Sequence, residues 1–117
     1  MFHGANIYTY LFCWESPIGA LGSPHAIELP FVFGTFDTLF ARTWLGENPG
    51  PQARALSERM RAAWTAFAAT GDPGWPSYQP DQALTKLWGA TDALVPDPEA
   101  ASRRIWHHVG QGLPHGC

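Results

Sequence analysis

The sequence predicts an α/β fold, and three stretches carry that expectation. Residues Ile7 to Trp14, "IYTYLFCW", form a nearly continuous β-branched and aromatic run of the kind found in strands covered on both faces. Between Gln52 and Thr70, the residues Leu56, Met60, Ala63, Trp64, Phe67 and Ala68 recur at helical spacing. Further on, "ALTKLWG" has the length, apolar content and closing glycine of a short strand. A buried strand, a long amphipathic helix and a second strand are parts of an α/β domain.

The elements follow in order. The uniform apolarity of Ile7 to Trp14 places that strand in the middle of a sheet, and "ESPIG" closes it. Ser16 to Pro24 is rich in Gly, Pro and Ser and reads as a loop. "HAIELPFVF" then resumes the apolar density up to Gly34, so His25 stands where the loop meets the next element. "TFDTLFARTWLG" is ambiguous, with a short aromatic-faced helix as one reading, and "ENPGP" breaks whatever precedes it. The long helix has matching start and stop signals: Pro51 opens it, Gly71 follows its end and Pro73 prevents continuation. "GDPGWPSYQPDQ" is a turn-rich connection to the "ALTKLWG" strand, which reads as an edge or near-edge strand. Asp97 and Pro98 form an N-cap and N1 pair for a second, shorter helix, in which Ala101, Ile105 and Val109 repeat every fourth residue. No internal repeat or low-complexity tract interrupts the chain.

Composition bounds the function. At 117 residues the chain is one domain at most, and a complete domain of that length buries roughly two-thirds of its unfolded surface. It is 45% hydrophobic and 15% charged, with six Trp and seven Phe, which is the make-up of a globular interior. A net charge of -3 leaves no basic stripe to neutralise phosphates, which argues against nucleic acid or an anionic membrane as partner and in favour of small or neutral ligands. The N-terminal stretch has no positive n-region and no small-residue cleavage site, and its apolar part falls far short of about 20 residues. Neither a signal peptide nor a membrane span is expected, and the cytoplasm is the default compartment. Two cysteines, Cys13 and Cys117, are too few for a disulfide scaffold; a strand cysteine rarely meets a chain terminus, so two free thiols are expected.

Among chemistry-bearing residues His25 comes first. A histidine on a Gly/Ser/Pro loop at the end of a buried strand is where α/β enzymes expose a general base, although a solvated or capping histidine is the commoner outcome. Glu28, polar within an apolar stretch, reads as a hydrogen-bond acceptor or cap rather than an acid catalyst. His107, His108, His115 and Cys117 are the one grouping that suggests a metal, but neighbouring helix residues point about 100° apart, so no metal site is expected. Trp64, Phe67, Trp75 and Tyr78 are candidates for stacking on a ligand, yet aromatics at helical spacing are more often core. The chain has no G-x-S-x-G nucleophile elbow, HGGG-like oxyanion loop, P-loop or dinucleotide fingerprint, so no cofactor is expected.

Taken together, "YTYLFCWESP", "SPHAIELPFVFG", "LSERMRAAWTAFAATGDP", "WPSY" and "LTKLWG", in that order, resemble the C-terminal segment of the type B carboxylesterases, the α/β-hydrolases that include para-nitrobenzyl esterases and cholinesterases. The resemblance runs from about Ile7 to Trp106, and the histidine block with "AWTAFAATGDPGWPSY" is its most specific part.

The resemblance implies a partial α/β-hydrolase fold for residues 1–117, a single partial domain. It implies that His25 is the triad histidine, acting on carboxylic esters through an acyl-enzyme, and that Glu28 is structural. The family's order is serine, acid, histidine, with both earlier members well upstream. Ser16 and Ser23 do not stand in an elbow, and Glu15, Asp37 and Asp72 do not occupy the acid's position. The expectation is a C-terminal part of an esterase that is inactive alone. A reading from a different class is a stand-alone interaction protein that self-associates through exposed strand edges.

Overall fold

The computed structural model describes residues 4–109, and the side chains of residues 4–106. Its elements run β1 (Tyr10–Phe12), α1 (Leu29–Phe33), α2 (Leu39–Leu45), α3 (Gly50–Thr70), β2 (Leu84–Trp88), β3 (Ala93–Pro96) and α4 (Ala100–Val109). The strands form one sheet in the order β1-β2-β3, with β1 parallel to β2 and β3 antiparallel to it.

The first strand is shorter than its apolar run and lies at the side of the described sheet rather than in its middle. Tyr10, Leu11 and Phe12 pair with Lys86, Leu87 and Trp88. Extended backbone continues on both sides, through bonds from the Lys86 N–H to the Thr9 carbonyl (3.0 Å) and from the Cys13 N–H to the Trp88 carbonyl (2.8 Å). The run Ile7 to Trp14 is half-buried to exposed throughout, so the two-sided cover that its composition suits is not complete among the described residues. Strand β2, expected near an edge, is central because β3 pairs along its other side, Leu84 against Pro96 through Leu87 against Ala93.

Helix α3 forms as its signals require. Pro51 sits in its first turn, and Gly71, at φ 79, closes it by donating its N–H to the Phe67 carbonyl. Its buried stripe is Ala53, Leu56, Ser57, Met60 and Ala63, whereas Phe67 and Ala68 at its end are exposed. The ambiguous stretch is helical: Thr38 caps α2, its hydroxyl accepting the Ala41 N–H at 3.2 Å. The core gathers α1, α2 and α3 around Ile27, Phe31, Leu45, Leu56 and Met60, with Trp75 and Trp88 at the sheet side. Arg59 of α3 reaches the β2–β3 turn, donating to both carboxylate oxygens of Asp92 (2.7 and 3.1 Å) and to the Gly89 carbonyl.

Two local expectations change. Asp97 is not an N-cap: it has φ 48, donates its N–H to the Ala83 carbonyl, and its carboxylate pairs with Arg103, with the helix starting at Ala100. The Arg103 hydrogen bond holds the Asp97 carboxyl below the usual carboxylate value. Cys13 is disulfide-bonded rather than a free thiol. The other cysteine, Cys117, lies outside the described residues, as do His115 and the side chains of His107 and His108.

Candidate functional site

His25 stands beyond the carboxyl end of β1, on a loop held at several points. Buried Ser16 donates its hydroxyl to the Trp44 carbonyl in α2 and accepts the Ile18 N–H at 3.1 Å, while its own N–H bonds the Gly22 carbonyl at 2.7 Å. Ser23 donates to the Phe12 carbonyl at 3.2 Å, drawing the far end of the loop back to the strand. Both serines are therefore engaged in shaping the loop.

The Ile27 N–H then donates to the Pro24 carbonyl (3.2 Å), closing a turn with His25 and Ala26 at its corners. Ala26 has φ 68, the positive value that the third residue of a type II turn requires and that glycine supplies most readily. A second bond, from the Leu29 N–H to the Ala26 carbonyl (3.1 Å), leads into α1. Ile27 and Phe31 anchor that helix in the core, and His25 is left exposed at the corner. It has no hydrogen bond or ion pair with another described residue. Substituting Ala26→Gly removes the left-handed strain, and thermal unfolding is expected to show a gain of up to about 1 kcal/mol.

The acids nearby in sequence do other work. Glu28 is the N-cap residue of α1, but its side chain makes no capping bond; its backbone carbonyl accepts the Phe31 and Val32 N–H groups. Its carboxylate acts on Tyr10, whose phenol is pushed above its ordinary value by burial first and by the Glu28 charge second. Asp72 accepts the Gly74 N–H at 2.8 Å in the turn after α3. Asp37 lines a polar cleft with Arg42, Glu47 and Arg54. The structure thus brings none of Glu15, Asp37 or Asp72 into a hydrogen bond with His25.

A second feature is an aromatic recess of about 190 Å³, lined by Tyr8, Tyr10, Ala63, Trp64, Phe67, Pro73 and Trp75. Its rings meet edge to face: Tyr10 with Trp64 at 5.0 Å, Tyr8 with Phe67 at 6.0 Å and Tyr8 with Trp75 at 6.3 Å. The aromatics of the sequence therefore divide. Trp75 is core, Trp64 is half-buried and Phe67 is 49% exposed. Tyr8 and Tyr10 join them because residues two apart in an extended segment share a face, a signal present in the sequence but overshadowed by the continuous apolar run.

The chain is 31% identical over 110 residues to the para-nitrobenzyl esterase of Bacillus subtilis, an alignment covering 87% of this chain and 22% of that protein. It is 31% identical over 122 residues to the acetylcholinesterase of Bungarus fasciatus, covering 89% and 18%. The chain is homologous to one segment of the para-nitrobenzyl esterase and cholinesterase-like carboxylesterases. A solved para-nitrobenzyl esterase matches 87% of its backbone at a TM-score of 0.79 and 30% identity, and 22% of that esterase is matched in return. The carboxylesterase match makes the architecture part of an α/β-hydrolase fold, and the chain spans about a fifth of the length of its carboxylesterase relatives. No protein-family model matches the sequence. No helix among the described residues is long and apolar enough to cross a membrane.

Proposed function

We propose that this chain supplies the C-terminal, histidine-bearing part of a carboxylesterase-type serine hydrolase, with His25 as general base. The observation that carries the reading is His25 itself, exposed beyond the carboxyl end of a strand on a firmly held loop, where open α/β sheets place their ligands. In the complete enzyme the His25 imidazole takes the proton of a serine hydroxyl as its oxygen attacks the ester carbonyl, then gives that proton to the leaving alcohol. In the second half it takes a proton from water as the water oxygen attacks the acyl-enzyme carbonyl, and on release of the carboxylic acid it returns that proton to the departing serine oxygen. The nucleophile, the acid and the oxyanion donors come from the remainder of such an enzyme. Triad members act as a unit, so the chain alone is inactive.

The test is a chimera in which residues 1–117 replace the matched segment of the Bacillus subtilis para-nitrobenzyl esterase. Hydrolysis of a para-nitrophenyl ester is expected, and His25→Ala in the chimera is expected to lower kcat by roughly 10³-fold or more. The isolated chain and its His25→Ala form are expected to show equal, background rates. An active chimera indifferent to His25→Ala would sink the assignment.

A second reading, self-association of the isolated chain through apolar faces and sheet edges, is favoured by the exposure of Phe33, Leu39, Phe40 and Phe67. Light scattering tests it: a monomer at micromolar concentration would exclude it.

A further inference from the structure

The polar cleft where α1, α2 and α3 meet has a volume of about 360 Å³ and is lined by Gly34, Phe36, Asp37, Arg42, Glu47 and Arg54. We propose that it binds a small oxyanion of the phosphate class, held by the guanidinium groups of Arg54 and Arg61 with Asp37 as an opposing acceptor. This site is independent of His25 and of ester chemistry.

The two arginines stand seven residues apart on α3, about two helical turns, so they lie along one stripe of its surface. Their side chains come to positions only two residues apart in the chain that crosses α3. The Arg54 Cζ lies 5.5 Å from the centre of the Phe36 ring. Arg61 rests face-on against Gly34, with Cζ, Nη1 and Nε 3.1, 3.1 and 3.3 Å from the point that a Cβ there would occupy. Gly34 has φ 68 and no side chain, so the backbone that glycine permits at this turn also leaves the space Arg61 fills. One face of each guanidinium is thus packed on protein, while the N–H edges stay open. Neither group makes a hydrogen bond or ion pair with another described residue, and Glu58, between them on α3, pairs with neither. A planar fork held by its face and unpaired at its edge is organised in advance for an oxyanion, which lowers the ordering cost of binding.

The surrounding charges define the ligand. Arg42 adds a third guanidinium at the rim, loosely paired with Glu47 at 3.7 Å. Two unpaired guanidinium groups match the charge of a phosphate near neutral pH through charge-assisted hydrogen bonds. The Asp37 carboxylate has no partner among the described residues, and it repels an oxyanion that has no proton to offer. It accepts from one that keeps an O–H, as monohydrogen phosphate does and sulfate does not. The chain as a whole carries -3, which disfavours an extended polyanion, so the occupant is a small molecule rather than a nucleic acid. The cleft has room for a small organic group beyond the phosphate.

Isothermal titration of residues 1–117 with inorganic phosphate, against sodium chloride at matched ionic strength, tests the site. Saturable 1:1 binding of phosphate is expected, with sulfate roughly tenfold or more weaker. Arg54→Gln and Arg61→Gln are each expected to weaken phosphate binding roughly tenfold or more, the loss of one charge-assisted hydrogen bond. Both side chains are exposed, so far-UV circular dichroism is expected to stay unchanged. Arg54→Lys, which keeps the charge and loses the planar fork, is expected to bind with intermediate affinity. Arg104→Gln, on α4 and outside the cleft, is expected to have no effect. Asp37→Asn is expected to bring sulfate to the affinity of phosphate, because an amide N–H donates where the carboxylate repelled. Heats no greater than those with chloride overturn the site. So does binding that survives both arginine substitutions, or that falls as much with Arg104→Gln. Sulfate bound by the parent chain as tightly as phosphate overturns the role of Asp37 and the choice of phosphate with it.

Discussion

Phe31→Ala is expected to destabilise the chain by about 3–5 kcal/mol, the usual cost of emptying a large buried aromatic site. Phe31 is fully buried, and its ring meets Phe12 at 5.0 Å, Phe36 at 5.3 Å and Trp14 at 5.9 Å. It is thus the point where β1, α1 and the stretch leading to α2 converge. Domains of this size hold only about 5–15 kcal/mol in all, so the variant is expected to lose much of its stability. Urea unfolding followed by tryptophan fluorescence measures it, and a midpoint close to the parent's would show that the ring is not central to the core. The same loss frees the base of α1, onto which the His25 turn is built.

Ser57→Ala is expected to cost about 1–3 kcal/mol although it removes a single oxygen. Helix α1 is only five residues long, so its last carbonyls have no partner within the helix. The Phe31 carbonyl is buried against α3, and the Ser57 hydroxyl donates to it at 2.7 Å. Alanine leaves that carbonyl unsatisfied in the core, where desolvation is not repaid. Thermal unfolding reads the loss, and an unchanged Tm for Ser57→Ala would show that the bond contributes nothing.

Much of this is legible in the sequence, and the exceptions have physical causes. Helix α3 is legible because its apolar period, Pro51 and Gly71 all agree. The loop position of His25 is legible, because the Gly/Ser/Pro stretch before it marks the loop on which the structure exposes it. Strand β3 is not, because Ala93–Pro96 has little strand character of its own and is extended through its pairing with β2. Ser57 escapes notice because a serine within a helical stripe looks solvent-facing until a neighbouring helix end supplies an acceptor. The position of β1 depends on which strands accompany it, and no local pattern encodes that.

The pairing of β1 with β2 also bears on how the chain reaches this structure. The hydroxyls of Thr9 and Thr85, 76 residues apart in sequence, meet at 3.2 Å, whereas β2 and β3 are joined by a short turn. Closing the longer loop costs on the order of 2 kcal/mol more in chain entropy than closing the shorter one. The hairpin and the helical cluster are accordingly expected to form early, and the N-terminal strand to pair last. That long-range closure is expected to limit the rate of folding, with Tyr8 and Tyr10 in water and the aromatic wall that receives them uncovered until it occurs.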